Sequence, residues 1–275
     1  MTRPYAEVIG DPISHSKSPL IHNFWLNKLG IDAEYRACHV TPDELDDYFA
    51  RRRGDTAWRG CNVTIPHKVS ALAFVDECDS SVADVGAANC IVPHDGKLVA
   101  HNTDISGVDA ALPSVGNSVC LIGAGGAARS AIPSLKAMST FDIRVSARDV
   151  SKAKAALADF DVDFTFFGFD HAIEAMRGAQ GVINASPLGM VGQAPMPQAV
   201  LEAVSVTDPN AYVFDMVYAP LETELLRTAR LSGRDAIDGL VMLVGQAGGA
   251  FSQFFGQHPD PSRQYDAELR ALLTA

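Results

Sequence analysis

Val119-Cys120-Leu121-Ile122-Gly123-Ala124-Gly125-Gly126-Ala127-Ala128 decides how this chain is read. An apolar run, a glycine-rich turn and a series of small helix-compatible residues follow one another, the order strand, turn, helix. Gly123, Gly125 and Ala128 fit G-x-G-x-x-[GA],. Gly123 permits a tight turn, Gly125 lets the backbone approach a pyrophosphate, and Ala128 is small enough for close helix–strand packing. Ala124, Gly126 and Ala127 fill the rest of a helix start whose free N–H groups attract an anion. The segment reads as a dinucleotide site.

The end of the next strand selects the dinucleotide. A carboxylate there usually holds the ribose hydroxyls of NAD. This chain instead reads Val145-Ser146-Ala147-Arg148-Asp149, with Lys152 four residues after Arg148. A guanidinium grips a 2′-phosphate with paired donors, and Lys152 adds charge, which favours NADP. Asp149 is the objection: aimed inward, it repels that phosphate and bonds the ribose instead.

Around this segment, short apolar runs alternate with helical patterns, the signature of an α/β fold with a mainly parallel sheet. Strands are expected at 119–122, 143–146, 181–185 and 212–215, and helices at 127–138 and from Ser151. Upstream, Tyr5 to Ile9 reads as a strand. A helix follows with Ser18 as N-cap and Pro19 as its first residue, ending at Gly30,. Further strands are expected at 34–39 and up to Asn62-Val63-Thr64, with a Thr41-capped helix between them. A hairpin, 87–92 with 97–100, turns at Asp95-Gly96,. The stretch 112–117 reads as an interdomain linker. The final helices, about 240–255 and 263–273, have no strand between them.

Lys+Arg total 22 and Asp+Glu 33, a net charge of −11. A nucleic-acid partner, which needs a broad basic face, is not expected. An anionic ligand must be held by local donors against the overall field. The N-terminus lacks the layout of a signal peptide, and Gly239 to Phe255 carries Gln246, Ser252 and Gln253, which suits a buried helix better than a membrane span,. Cys38, Cys61, Cys78, Cys90 and Cys120 form neither a zinc nor a redox spacing and read as small apolar fillers in a cytoplasmic protein,.

Three upstream segments carry reactive groups. Ser16 and Ser18 stand beside a helix start, where hydroxyls and free N–H groups can bind a carboxylate. Asn62-Val63-Thr64-Ile65-Pro66-His67-Lys68 is expected to end a strand and open a helix at Pro66. That places Lys68 near the positive end of a helix dipole, a setting that favours giving up a proton. His101-Asn102-Thr103-Asp104 opens another helix, with Thr103 as its cap and Asp104 stabilised as an anion in its first turn,.

These segments, together with Ala87-Ala88-Asn89, Asn184-Ala185-Ser186-Pro187-Leu188-Gly189-Met190, Asp215-Met216-Val217-Tyr218 and Asp238-Gly239-Leu240 leading to Gln246, occur in an order that resembles the shikimate dehydrogenase family over nearly the whole chain. The resemblance implies a two-domain α/β protein. A substrate-binding domain takes 1–105 plus 240–275, with the C-terminal helices packed back on it, and a Rossmann-type NADP-binding domain takes 106–239. The implied reaction is the NADP-dependent, reversible reduction of 3-dehydroshikimate to shikimate, a step of chorismate biosynthesis. Lys68 and Asp104 are the implied catalytic pair. Ser16, Ser18 and Tyr218 are implied for the substrate carboxylate, and Thr64, Asn89 and Gln246 for ring hydroxyls. Gly123 to Ala128, Arg148 and Lys152 are implied for NADP, with Ser186, Met216 and Gly239 on the cofactor side. The expected partners are this substrate and cofactor, with no metal and no membrane; a homodimer is compatible.

Three positions depart from the commonest family form. Cys90 follows Asn89 where threonine is usual, Ile105 follows Asp104 where glycine or an aromatic is common, and Asp149 stands where threonine is frequent. Two alternatives therefore stay open: a quinate/shikimate dehydrogenase preferring NAD, and a non-catalytic NAD(P)-binding regulatory protein.

Overall fold

The alternation of strands and helices is realised as two six-stranded sheets in a computed structural model that describes residues 3–113, 117–259, 263–264 and 266–275. The chain divides into two compact units, Met1–Ser106 with Val244–Ala275, and Gly107–Leu243. The divisions fall inside the helices Asp104–Ala111 and Gly239–Phe255. Of the linker expected at 112–117, residues 114–116 lie outside the described residues. So does residue 265, within the span expected for the last helix, which runs Asp266–Thr274.

The first unit contains β1 (Tyr5–Gly10), β2 (Glu34–His39), β3 (Trp58–Val63), β4 (Glu77–Cys78), β5 (Cys90–His94) and β6 (Lys97–His101), in the order β2-β1-β3-β5-β6-β4. β1 is parallel to β2 and β3, whereas β5 runs antiparallel to β3 and β6. Every residue of β1 is buried, as a strand covered on both faces requires. Asp95 and Gly96 turn the hairpin with φ of 49° and 78°, the left-handed pair of a type I′ turn. Ile9, Tyr48, Phe49, Trp58, Ile91 and Leu98 belong to its core. Within β1, Glu7 is also buried, accepting from Arg36 Nε at 3.0 Å, Arg52 Nε at 2.8 Å and the Tyr48 hydroxyl at 2.9 Å. Without those donors the carboxylate would not be tolerated there.

The second unit contains β7 (Ser118–Ile122), β8 (Asp142–Ala147), β9 (Phe164–Gly168), β10 (Gly181–Asn184), β11 (Tyr212–Asp215) and β12 (Asp235–Ile237). All neighbours are parallel, in the order β12-β11-β10-β7-β8-β9. Chain order reverses between β7 and β10. In an open parallel sheet the carboxyl ends of the strands at such a reversal leave a crevice, the usual ligand position. Separate apolar clusters, one around Leu121, Val145 and Phe214 and one around Cys120, Ile122 and Val213, pack the residues that alternate along these strands.

Four local expectations are corrected. Ser18 does not cap its helix: Lys17 takes the N-cap position, and Ser18 lies within the helix Ser18–Leu29, buried. The Ser16 hydroxyl accepts from the Ser18 N–H at 3.3 Å, so the preceding serine supplies an acceptor at this helix start. No α-helix opens at Pro66 either. A turn follows β3, and a short 3₁₀ segment, Ser70–Phe74, begins after Lys68. The reason is tertiary. The Lys68 carbonyl accepts from Ala88 N at 2.8 Å, and the His67 ring bonds the Val40 carbonyl at 2.6 Å. The segment is thus tied to neighbouring strands, and the dipole expected to act on Lys68 has no helix behind it. Thr41 does form a capping box with Glu44, but over a 3₁₀ turn, Pro42–Glu44, that leads into the helix Leu45–Arg53. The filler reading of the cysteines fits Cys61, Cys90 and Cys120, which are buried, whereas Cys78 is exposed.

Candidate functional site

In the first unit, the turn after β3 and the turn after β6 bring Lys68 against Asp104. Lys68 Nζ donates to Asp104 Oδ2 at 2.5 Å. The carboxylate is largely buried and the lysine side chain about one-third exposed. Asn89 holds the other carboxylate oxygen: its Nδ2 donates to Asp104 Oδ1 at 2.9 Å and to Thr103 Oγ1 at 3.1 Å. The Asn89 carbonyl oxygen Oδ1 accepts from Thr103 N at 2.7 Å, which fixes the amide's orientation. Asn102 accepts from Asp104 N at 3.1 Å and donates to the Ala87 carbonyl at 2.8 Å. Asp104 therefore has limited freedom, and its charge is balanced by one ammonium and one amide.

A buried chain of hydrogen bonds leads from β2 to this cluster. Ser18 is buried in its helix, and Tyr35 is buried in β2, where burial pushes the phenol well above its ordinary range. Tyr35 donates to Asn62 Oδ1 at 2.6 Å, and Asn62 Nδ2 donates to the Asn89 carbonyl at 3.0 Å. Thr64 follows β3 and packs beside Gly10, where an added Cβ would come within 2.6 Å of its methyl. Gln246 sits one helical turn before Gly249, whose added Cβ would lie 3.2 Å from Thr103 Cβ. The sequence reading assigned no role to Tyr35 and none to Asn62 beyond its motif. A buried tyrosine in an apolar strand gives no linear signal of where its hydroxyl ends.

In the second unit, Gly123 has φ +97° after β7, and an added Cβ would lie 3.0 Å from Ser186 Cβ. Among the described residues, nothing beyond the chain neighbours and the helix's own backbone lies within 4 Å of an added Cβ at Gly125 or Gly126. The helix Gly126–Ala137 starts from Gly125 without a side-chain cap, so no side chain competes for an anion there. Ala128 is fully buried. A pocket of about 340 Å³ opens at this turn, lined by Gly123, Ala124, Gly125, Arg148 and Ser186 among the expected residues. The turn, the uncapped helix start and the guanidinium fit a dinucleotide. Leu188, from the quoted 184–190 stretch, lines it too, as do Phe169 and Gln193; sequence reasoning missed the last two because they carry no glycine signature.

Asp149 is turned to the helix Val150–Ala156, where its Oδ1 accepts from Lys152 N at 3.0 Å. Lys152 Nζ lies 3.9 Å from Oδ2, and neither residue lines the pocket. Met216 and Gly239 meet: a Cβ on Gly239 would lie 2.6 Å from the Met216 carbonyl. Tyr218 follows in the same unit, its phenol raised by burial. No group of three or more His, Cys, Asp or Glu among the described residues could hold a metal, and no described helix is long and apolar enough to cross a membrane.

Residues 8–91 match the family described as shikimate dehydrogenase substrate binding domain. The chain is 44% identical to a shikimate dehydrogenase (NADP(+)) of Sphingopyxis alaskensis, over 99% of this chain and 97% of that protein. Its structure is similar to shikimate 5-dehydrogenase from Thermus thermophilus in complex with NADP(H) and shikimate, with a TM-score of 0.83, 30% identity and coverage of 98% and 99% of the two chains. It is also similar to shikimate 5-dehydrogenase from Listeria monocytogenes in complex with shikimate and NAD, with a TM-score of 0.86, 26% identity and coverage of 98% and 96%.

Proposed function

The chain belongs to the shikimate dehydrogenase family, and from that premise we propose how its two units divide the work. It is an NADP-dependent oxidoreductase that interconverts 3-dehydroshikimate and shikimate. The first unit binds the substrate and handles the proton; the second binds NADP. The observation that carries this assignment is the 2.5 Å contact between Lys68 and Asp104, residues 36 apart in sequence.

NADPH, when bound, supplies the hydride. As the keto carbon is reduced, negative charge grows on its oxygen, and an ammonium positioned there stabilises that charge and delivers the proton. Lys68 Nζ is that group. Asp104 holds the ammonium in place and accepts a hydrogen bond from the substrate hydroxyl. In the reverse direction the same pair receives the hydroxyl proton. Asn89 restrains Asp104 and, with Thr64 and Gln246, contacts ring hydroxyls. Ser16 and Ser18 anchor the carboxylate with neutral donors; Tyr218 is assigned to the same carboxylate on the resemblance alone. Gly123 to Ala128 cradle the pyrophosphate and Arg148 meets the 2′-phosphate, while Lys152, outside the pocket lining, is assigned to the same phosphate on the resemblance alone; Ser186, Met216 and Gly239 face the rest of the cofactor.

One observation supports keeping NAD as a second reading: the Asp149 carboxylate sits at the start of the helix that follows Arg148, where it weakens attraction for a phosphate. Steady-state assays crossing shikimate and quinate with NADP and NAD test both. Shikimate with NADP is expected to give the highest kcat/KM. A many-fold preference for quinate with NAD would overturn the first reading, and absence of turnover with every pair would return the non-catalytic alternative.

A further inference from the structure

Asp215 lies at the end of β11, fully buried, and no arginine or lysine is paired with it among the described contacts. Its charge is met by donors alone. Thr223 Oγ1 donates to Oδ2 at 2.6 Å, while Asn184 Nδ2 and Val217 N donate to Oδ1 at 2.8 and 3.0 Å. Burial nonetheless pushes the carboxyl above its ordinary range. A buried carboxylate without a cation is costly to keep, so its position calls for a reason beyond packing.

The neighbouring amide supplies one. An ionised carboxylate only accepts, so Asn184 must turn its NH₂ towards Asp215. The same NH₂ reaches the Leu188 carbonyl at 3.2 Å. The Asn184 oxygen is thereby aimed the other way, where it accepts from Ser186 N at 3.1 Å and Ser186 Oγ at 2.7 Å. Ser186 is the pocket wall that meets Gly123, 3.0 Å from the place of an added Cβ. The loop after β10 is thus held against the glycine turn by an amide whose orientation the Asp215 carboxylate, the Leu188 carbonyl and the Ser186 N–H fix together.

We infer that Asp215 is a positioning residue for the dinucleotide, acting through the orientation of the Asn184 amide on Ser186 and the pocket wall. The inference rests on the reading of this pocket as the NADP site. Asp215→Leu takes away the acceptor that faces the Asn184 NH₂. Asp215→Asn is nearly isosteric and keeps that acceptor, because the Val217 N–H holds an oxygen at the same place and the new NH₂ faces Thr223 Oγ1, a hydroxyl that can accept,.

NADPH binding by fluorescence titration, steady-state kinetics and thermal unfolding, on the full chain, test this. Asp215→Leu should raise the NADPH Kd about three- to tenfold, the effect of losing one or two oriented hydrogen bonds, with the shikimate KM unchanged. Asp215→Asn, which keeps the acceptor, should leave the NADPH Kd as in the wild type. Thr223→Val removes another donor to the same carboxylate without touching the Asn184 orientation. It should lower Tm and leave the NADPH Kd as in the wild type. An unchanged Kd in Asp215→Leu, or an equal rise in Thr223→Val or Asp215→Asn, would overturn the inference while the pocket assignment stands. Wild-type protein that binds no NADPH would overturn the assignment and the inference with it.

Discussion

Lys68 and Asp104 form a contact in which each side chain limits the other, so substituting either one changes both charge and geometry. Because the ammonium's hydrogen bond strengthens only as charge grows on the substrate oxygen, its loss belongs in kcat. Lys68→Ala is expected to lower kcat about a hundred- to ten-thousandfold, the span of general acid–base catalysis, with a small change in shikimate KM. Steady-state kinetics at saturating NADP check this, and a change confined to KM would remove Lys68 from the proton step. His22 has the opposite character, a buried group that the proposed chemistry does not use. Its ring stacks on Tyr35 at 3.9 Å, and among the described residues neither of its nitrogens has a hydrogen-bond partner. Burial lowers its pKa from 6.5 to about 3. Between those values the unfolded chain binds a proton that the folded one does not, so stability falls as pH drops through that window. His22→Phe keeps a flat ring and removes that proton uptake. Relative to wild type it should abolish a loss of about 1.4 kcal/mol per pH unit, read from urea unfolding at pH 7 and pH 5; parallel pH dependences would show that His22 is not the source.

The last helix illustrates how an element acts on a site from a distance in sequence. Asp266–Thr274 buries Leu269 and Leu273, and the Lys17 ammonium donates to the Leu273 carbonyl. A cation at a helix C-terminus is favoured by the dipole, and Lys17 is the residue between Ser16 and Ser18. The helix end is thereby tied to the proposed carboxylate anchor. Leu273→Ala should cost about 2–5 kcal/mol, as large-to-small core substitutions do, and raise the shikimate KM while leaving the NADP KM in place. Denaturant unfolding with kinetics for both ligands separates the effects; a loss of stability with shikimate KM unaltered would mean the tie is structural only. The turn after β3 teaches the converse lesson. Read linearly, Pro66 after a strand suggests the first turn of a helix. In the fold, the backbone there bonds to Ala88 and the His67 ring to Val40, and those partners are far away in sequence.

At the scale of the molecule, each unit has its own sheet and its own core, and, Tyr218 apart, each proposed ligand is assigned the loops of one unit. Hydrogen exchange followed by mass spectrometry should therefore respond selectively. NADPH is expected to slow exchange in 119–130 and 184–190, whereas shikimate alone should slow it in 14–20, 62–69 and 100–106. The reverse pattern would exchange the roles given to the units. The overall charge of −11 makes local donors decisive for both anionic ligands, and the helix start at Gly125 and the Ser16–Ser18 turn provide them without a large basic field.

Much of this was legible in the linear chain. The glycine turn of 119–128, the strands on either side and the hairpin at Asp95-Gly96 depend on residues adjacent in sequence, where backbone sterics and hydrophobic periodicity act locally. The identity of the reactive side chains belonged to the same reading, since their motifs are contiguous. Other features had to wait for the folded chain. That Lys68 meets Asp104, that Asp149 spends a carboxylate oxygen on the Lys152 N–H, that Glu7 is neutralised within β1 by Arg36 and Arg52, and that Asp215 orients Asn184 are all matters of direction. A sequence names the donors and acceptors, but which of them point at each other depends on strand order and register, and those are decided only when the sheets close over their cores.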